Sequence, residues 1–175
     1  GKIACINYAR TKKIPFLGIC FGMQMAVIEF ARNVLMIKNA GSSELDKKCY
    51  PVVGLIEEWS KNGRKIKGTL KNLGGTMRLG LYPAKLQHNS LIKEIYKSSQ
   101  IKERHRHRYE VNVNLRKKFE THGLNFSGMS PDNNLPEIVE IKNHPWFIGV
   151  QFHPEFKSRP LQPHPLFSSF ICLLY

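Results

Sequence analysis

Acidic side chains are scarce in this sequence. Its 175 residues include 13 Asp and Glu against 27 Lys and Arg, a formal net charge of +14 at pH 7. Such a surplus invites a polyanion such as nucleic acid. The basic residues are spread along the chain without interleaved aromatics or an RNA-binding signature, so we predict a solvated lysine-rich surface and no nucleic-acid partner. A basic nucleic-acid-binding module is the alternative, which an affinity falling steeply with salt would identify.

Long apolar runs and closely spaced cysteines are also missing. No run reaches the roughly 20 residues of a membrane-spanning helix, and the first residues do not resemble a signal peptide, so we expect a cytoplasmic protein without a membrane partner. The four cysteines, Cys5, Cys20, Cys49 and Cys172, show neither metal-site spacing nor a disulfide framework. No phosphate-binding Gly-x-x-x-x-Gly-Lys sequence is present. We therefore expect neither a metal nor a cofactor in this chain.

The patterns that are present indicate one α/β domain. With 42% hydrophobic residues, the chain can bury a sizeable core. Helical and strand patterns alternate, and there is no internal repeat. Helices are predicted at 1–11, 21–33, 91–97, 115–121 and 166–173, and strands at 14–19, 52–56, 77–86, 104–111, 124–130, 137–142 and 147–152. Residues 60–73, rich in Lys, Gly and Asn, are predicted to form an exposed connection.

One cysteine occupies the kind of position in which enzymes present a nucleophile. Residues 14–19 form an apolar run of strand length, and apolar residues after Cys20 recur at helical spacing, so Cys20 is predicted at a strand-to-helix turn. Gly18 and Gly22 flank it, as expected where the backbone packs closely or φ is positive. The N–H groups and positive dipole end of the following helix are expected to favour the thiolate.

A base for this cysteine is available near the other end of the chain. His153 and Glu155 are two residues apart, so in an extended segment their side chains point the same way. The carboxylate can then hold one imidazole nitrogen while the other faces Cys20. We therefore predict a catalytic triad of Cys20, His153 and Glu155.

Longer segments around these residues resemble the class I glutamine amidotransferases and, within them, the CTP synthases. The segments are Ile14-Pro-Phe-Leu-Gly-Ile-Cys-Phe-Gly-Met-Gln24, Gly74-Gly-Thr-Met-Arg-Leu-Gly80, Glu103-Arg-His-Arg-His-Arg-Tyr-Glu-Val-Asn112 and His144-Pro-Trp-Phe-Ile-Gly-Val-Gln-Phe-His-Pro-Glu-Phe156. The resemblance covers nearly the whole chain. It implies a three-layer α/β fold with an open, mostly parallel sheet flanked by helices. It also implies a glutaminase domain of a ligase, which hydrolyses glutamine through a cysteine thioester and supplies ammonia for the ATP-dependent amination of UTP to CTP.

The resemblance also assigns residues to the substrate. Those expected to contact glutamine are Gln24, Glu44, Arg108 and Tyr109. Glu44 suits the ammonium group, Arg108 suits the α-carboxylate through two charge-assisted hydrogen bonds, and Tyr109 contributes its backbone. The N–H of Phe21 is expected to stabilise the oxyanion. Thr76 and Arg78 either contact a regulatory nucleotide or belong to a packed turn.

The implied partners lie beyond this domain. They are a synthetase domain that accepts the ammonia, UTP, ATP with Mg, GTP as an activator, and further copies of the chain in a tetramer. We expect residues 1–175 to be the amidotransferase domain of a longer polypeptide, because the strands and glycine-rich oxyanion loop expected before Cys20 are not recognised, nor is the synthetase domain. By itself the chain is then expected to be a poor glutaminase.

Two alternatives keep the fold and change the role. The first is a triad amidotransferase that serves another acceptor, such as a purine-pathway synthetase. The second is a catalytically silent regulatory or scaffold module. A silent module is expected to have lost the cysteine or the histidine, and this sequence keeps both Cys20 and His153.

Overall fold

The computed structural model describes residues 1–55 and 77–173. Its helices are α1 (Lys2–Lys12), α2 (Phe21–Asn33), α3 (Leu91–Tyr96), α4 (Arg116–Thr121) and α5 (Pro165–Ile171). Its strands are β1 (Phe16–Ile19), β2 (Ala40–Ser42), β3 (Tyr50–Gly54), β4 (Arg78–Leu86), β5 (Gln100–His107), β6 (Glu110–Val111), β7 (Leu124–Met129), β8 (Pro136–Ile141) and β9 (Phe147–Val150). Short 3₁₀ turns occupy Val113–Leu115 and Pro154–Phe156.

The strands form two sheets. The larger has six strands in the order β1-β9-β8-β7-β4-β5, and the smaller has the order β2-β3-β6. In the described residues only β1 with β9 and β2 with β3 pair in parallel, and every other pair is antiparallel. The prediction of a mostly parallel sheet is therefore wrong, and the sheet is mixed. Parallel neighbours need a long crossover, whereas the short links from β7 to β8 and from β8 to β9 join antiparallel strands.

Apolar side chains cover both faces of the large sheet. On β8 and β9, Val139 and Phe147 pack into a core shared with α1, α2 and α4. Their neighbours Ile138 and Ile148 pack into a second core shared with α3 and α5. Successive strand residues point to opposite faces, so these runs of consecutive apolar residues place helices on both sides. The predicted three-layer α/β arrangement is confirmed.

A buried carboxylate joins α1 to α2. Glu29 on α2 accepts two hydrogen bonds from the Arg10 guanidinium at 2.8 Å, one from Asn7 at 2.8 Å and one from Asn33 at 3.0 Å. Burial alone would raise the pKa of Glu29, but these hydrogen bonds outweigh it and lower that pKa. The two helices are thus fixed in their relative register by one ion-paired group.

A glycine on β9 lets α2 approach the sheet. A Cβ atom at Gly149 would lie 2.9 Å from Cγ2 of Val139 and 3.1 Å from Cβ and Cγ of Met23. Met23 belongs to the first turns of α2. Any larger residue at Gly149 would therefore push α2 and β9 apart.

Most predicted elements are confirmed, with one break and one addition. All five predicted helices are present, and so are the strands at β1, β3, β4, β7, β8 and β9. The predicted single strand at 104–111 is wrong: β5 ends at His107, and β6 pairs with β3 in the smaller sheet. Strand β2 was not predicted. The predicted connection at 60–73 lies outside the described residues.

Candidate active site

Cys20 lies in a strained turn between β1 and α2. Its φ is 50° and its ψ is −102°, and its N–H donates to the carbonyl of Val150 at 2.7 Å. A Cβ at Gly18 would lie 2.8 Å from the carbonyl carbon of Gly22, so Gly18 is required by close packing, as predicted. A Cβ at Gly22 would meet open space, and the positive φ belongs to Cys20 itself. A non-glycine residue held at such a φ is typical of functional sites.

The sulfur of Cys20 rests as a thiol. Burial raises the pKa of Cys20 to about 11, and the carboxylates of Glu110 and Glu155 act in the same direction. Hydrogen bonds from the backbone of Phe21 and the side chain of Gln151 act in the opposite direction without outweighing burial. The start of α2 does favour the thiolate, as expected, through the N–H of Phe21, but desolvation dominates the pKa. The thiol needs a base before it can attack.

His153, the predicted base, is held by Glu155 and makes no hydrogen bond to the Cys20 sulfur. Its Nδ1 is 2.5 Å from Oε1 of Glu155, so the carboxylate keeps the proton of the neutral ring on Nδ1 and leaves a lone pair on Nε2. In the described part of the chain this Nε2 is buried and has no hydrogen-bond partner. The backbone N–H of His153 donates to the carbonyl of Arg104 at 2.8 Å, and the imidazole ring stacks on Phe156 with centroids 5.0 Å apart. The imidazole is thus oriented on both sides.

The parallel pairing of β1 with β9 brings the two segments together. Ile19 is in register with Val150, so Cys20 and His153 both follow the carboxyl ends of neighbouring parallel strands. Gln151 follows Val150 directly, and its Nε2 lies 3.7 Å from the sulfur of Cys20. Cys20 and the segment that carries His153 therefore meet at one edge of the sheet.

A cavity of about 440 Å³ opens at Cys20. It is lined by Cys20, Phe21, Gln24, Glu44, Met77, Arg106, His107, Arg108 and Tyr109. All four residues predicted to contact glutamine are therefore brought to the same cavity as the sulfur. His153 and Glu155 are not among the lining residues; they follow the end of β9.

The cavity presents groups that suit an amino acid. Glu44 and Arg108 are exposed and carry opposite charges. Gln24 is 3% exposed, and its Nε2 donates to the carbonyl of Tyr109 at 2.9 Å. That carbonyl also accepts from Nδ1 of His107 at 3.1 Å, so it is already used within the protein. A carboxylate and a guanidinium at one cavity match the two charges of a zwitterion.

A buried ionic cluster lies behind the cavity. Arg78 is 2% exposed and pairs with Glu110 at 3.1 Å and Glu137 at 2.7 Å. Of the two roles considered for Arg78, the structure therefore favours the packed one. The other residue of that segment, Thr76, lies outside the described residues. Burial raises the pKa of Glu137, and it raises that of Glu110 to about 8, despite the opposing charge of Arg78.

Two histidines belong to this cluster. Nδ1 of His105 lies 2.9 Å from Nε2 of His107, and Nε2 of His105 lies 3.6 Å from Oε2 of Glu137. Burial and the nearby charge of Arg78 lower the pKa of His105 to about 2 and that of His107 to about 3. Both imidazoles are therefore neutral at physiological pH. The alternation of a strand accounts for their burial, because His105 and His107 are buried while Arg104 and Arg106 are exposed.

Some residues at the site were not predicted. Gln151 contacts the sulfur, and Met77, Arg106 and His107 line the cavity. Gln151 carried a readable signal, since a polar residue directly follows an apolar strand and stands two residues before the predicted base. The other three depend on the fold of β4 and β5 around the cavity.

Two classes of feature are missing from residues 1–55 and 77–173. No group of three or more His, Cys, Asp or Glu side chains is arranged to hold a metal ion. No helix in these ranges is both long and apolar enough to cross a membrane.

Comparison with known proteins agrees with this geometry. The family described as glutamine amidotransferase class-I matches residues 1–173. The chain is 73% identical over 171 residues to a CTP synthase of Pelagibacter ubique and 59% identical over 172 residues to a CTP synthase of Zymomonas mobilis. Each match covers 98% of this chain but 32% of the relative, so the chain spans about a third of the length of these proteins.

Solved structures give the same result. The glutaminase domain of Trypanosoma brucei CTPS with bound acivicin matches with a TM-score of 0.83 and 36% identity, over 97% of this chain and 63% of that one. A glutamine amidotransferase of Thermotoga maritima matches with a TM-score of 0.51 and 16% identity, over 88% of this chain and 46% of that one. The second match supports the fold alone.

Proposed function

Because the chain belongs to the class-I glutamine amidotransferase family, we propose that it hydrolyses glutamine with Cys20 as the nucleophile, and that the ammonia is used to aminate UTP to CTP. The observation that carries the first part is the strained turn that holds Cys20 at the cavity, next to the segment with His153 and Glu155. The second part is supported by the 73% identity to a CTP synthase.

Glutamine binds through its two charged groups. The guanidinium of Arg108 pairs with the α-carboxylate, and the carboxylate of Glu44 accepts from the ammonium group. Both hydrogens of Gln24 Nε2 are donated within the protein, to Tyr109 and Gln151, which leaves Oε1 to accept from the substrate. The side-chain amide of glutamine then lies at the sulfur of Cys20.

The first half-reaction releases ammonia. His153 Nε2 takes the proton of the Cys20 thiol, the resulting thiolate attacks the amide carbon, and the negative charge passes to the amide oxygen. The N–H of Phe21 stabilises that oxyanion. The imidazolium returns its proton to the amide nitrogen, the C–N bond breaks, and ammonia leaves a glutamyl thioester. Glu155 stabilises the imidazolium throughout.

The second half-reaction restores the enzyme. His153 removes a proton from water, which attacks the thioester carbon, and the C–S bond breaks. The sulfur recovers a proton from the imidazolium, and glutamate is released. One glutamine and one water thus give one glutamate and one ammonia.

The ammonia acceptor belongs to a part of the enzyme outside this chain. We propose a synthetase domain that binds UTP and ATP with Mg and responds to GTP, in a cytoplasmic tetramer. The support is the similarity to CTP synthases, of whose length the chain covers 32%.

The test is to replace Cys20 by Ala in the purified protein that contains this chain. We expect loss of glutamate release and of glutamine-dependent CTP formation, with CTP formation from added ammonia retained. Cys5→Ser is the matched control, because Cys5 is exposed on α1 and should leave both activities unchanged. Glutamate release that survives Cys20→Ala would refute the nucleophile. Failure of the wild-type protein to aminate UTP with ammonia would refute the acceptor and leave the glutaminase intact.

A further inference from the structure

A relay of amide hydrogen bonds connects the backbone of Tyr109 to the sulfur of Cys20. Gln24 Nε2 donates to the carbonyl of Tyr109 at 2.9 Å and to Oε1 of Gln151 at 3.3 Å. Gln151 Nε2 in turn lies 3.7 Å from the sulfur of Cys20, within hydrogen-bond reach for sulfur. Gln151 is fully buried. The relay therefore runs through the protein interior beside the cavity.

The carbonyl of Tyr109 fixes the direction of every bond in this relay. A carbonyl oxygen only accepts, so Gln24 must turn its nitrogen toward it. The same nitrogen then has one hydrogen left for Gln151, which must present its oxygen. Gln151 consequently has to turn its own nitrogen to Cys20. The group that faces the sulfur is a donor because the far end of the relay is an acceptor.

A hydrogen-bond donor beside the sulfur is important because the nearby charged groups disfavour the thiolate. The charged groups that act on Cys20 are the carboxylates of Glu110 on β6 and Glu155 after β9, and both disfavour a negative sulfur. His153, beyond β9, keeps its Nε2 free of hydrogen bonds within the described residues. The stabilising contacts are therefore the backbone N–H of Phe21 and the side-chain N–H of Gln151.

We propose that Gln151 is a catalytic residue that stabilises the Cys20 thiolate, and that Gln24 and Tyr109 hold it in the donor orientation. This inference deepens the proposed glutamine hydrolysis and rests on it. The thiolate occurs twice in each cycle: when His153 removes the thiol proton before attack, and when the thioester breaks and the sulfur leaves. A donor that binds the anion more strongly than the thiol or thioester accelerates both steps.

The test measures thiolate reactivity without using glutamine. The purified protein is labelled with iodoacetamide between pH 7 and 9, and the rate is read by mass spectrometry on the peptide that contains Cys20. In Gln151→Met and Gln151→Leu, which both lack the donor, we expect labelling about three- to tenfold slower at each pH. A smaller thiolate fraction lowers the rate, and the higher nucleophilicity of a more basic thiolate recovers part of it.

The sign of the effect separates this role from a structural one. A loosened core would expose the sulfur and speed labelling, whereas loss of the donor slows it. Gln87→Met is the matched control at an exposed site and should label like wild type. Gln24→Met tests the relay from its other end and should slow labelling by a smaller factor, because Gln151 is then free to turn.

Labelling rates in both Gln151 variants that equal or exceed the wild-type rate would overturn the proposal. If one of these variants does not fold, the other and Gln24→Met decide. Failure of this proposal can be told apart from failure of the proposed function. The activity of Cys20→Ala tests the nucleophile, and the labelling rates of the Gln151 variants test the thiolate contact.

Discussion

The side chain of Arg108 lines the cavity directly after the last residue of β5. Its neighbour two residues back in the strand, Arg106, also lines the cavity, while Arg104 does not belong to the lining. Two arginines of the run thus reach the cavity, and Arg108 is the one that lies where the strand ends. Its exposure keeps the guanidinium available to a ligand carboxylate.

Replacing Arg108 by Ala should therefore affect glutamine and leave ammonia unaffected. Loss of a charge-assisted bidentate contact costs about 1.5 to 3 kcal/mol, so we expect KM for glutamine to rise on the order of ten- to a hundredfold. Ammonia-dependent CTP formation should persist. Steady-state kinetics with both nitrogen donors make the measurement. Arg104→Ala is the control, and an equal loss of both activities in Arg108→Ala would indicate a folding role instead.

The predictability of the site differs from residue to residue. Cys20, His153 and Glu155 were selected from local spacing alone, because a strand-to-helix turn and an extended i, i+2 pair are local features. The high pKa of Cys20 and the contact with Gln151 were not predicted, since both depend on which groups surround the sulfur in three dimensions. The positive φ was expected at a glycine and belongs to the cysteine.

Helices α1 and α2 illustrate how one buried charge can dominate the packing of two elements. Glu29 is fully buried, and the guanidinium of Arg10 supplies two of its four hydrogen bonds. Because Cys20 immediately precedes α2, the position of this helix matters to the nucleophile. The ion pair is therefore a structural support of the site at a distance.

Arg10→Ala should destabilise the domain strongly. Removing one partner of a buried pair leaves an uncompensated carboxylate, which costs about 3 kcal/mol. The free energy of unfolding in urea gives the measurement. Lys12→Ala, an exposed substitution in the same helix, should change it by less than about 0.5 kcal/mol. Similar losses in the two variants would show that Arg10 contributes no more than surface charge.

Strand 104–111 shows where element prediction fails. The alternation of Arg and His continues to His107, and a local pattern gives no reason to stop there. The chain nevertheless changes partner, from β4 for β5 to β3 for β6. The break at Arg108 and Tyr109 is decided by strands distant in sequence, which local periodicity does not contain.

At the scale of the whole molecule, the cluster of Arg78, Glu110, Glu137, His105 and His107 couples folding to pH. The histidine pKa values are depressed to about 2 and about 3, so between these values and about 6.5 the unfolded chain binds more protons. These histidines therefore remove stability as pH falls below about 6.5. Glu110, whose pKa is raised to about 8, acts oppositely: its stabilisation is complete below about 4.5 and is lost as pH rises through 8.

A single substitution can isolate the histidine contribution. His107→Asn keeps a nitrogen donor near the carbonyl of Tyr109 and removes the titrating ring. Between pH 6.5 and 5 the wild-type protein should lose about 1.6 kcal/mol more stability than the variant, because the unfolded histidine goes from half to almost fully protonated over this range. Urea unfolding at both pH values measures the difference. His88→Asn, at an exposed site, should behave as wild type, and equal pH slopes for His107→Asn would contradict the coupling.

The fold class followed from the alternation of helices and strands, whereas the sheet order did not. Consecutive apolar residues such as Ile138 and Val139 indicated strands covered on both faces. Their neighbours in the sheet are chosen by the links between strands, and two of these links are short enough to favour antiparallel pairing. A resemblance to a mostly parallel family architecture overestimated the parallel share.

Gly149 lies where α2 packs on β9, and its lack of a side chain matters there. The helix that starts at the nucleophile and the strand that leads to the base touch at this residue, through Met23 on one side and the β9 backbone on the other. Gly149 therefore sets the closest approach of α2 to β9. A single methyl group here, outside the cavity and without any polar atom, would move the helix that follows Cys20 away from the strand that precedes His153.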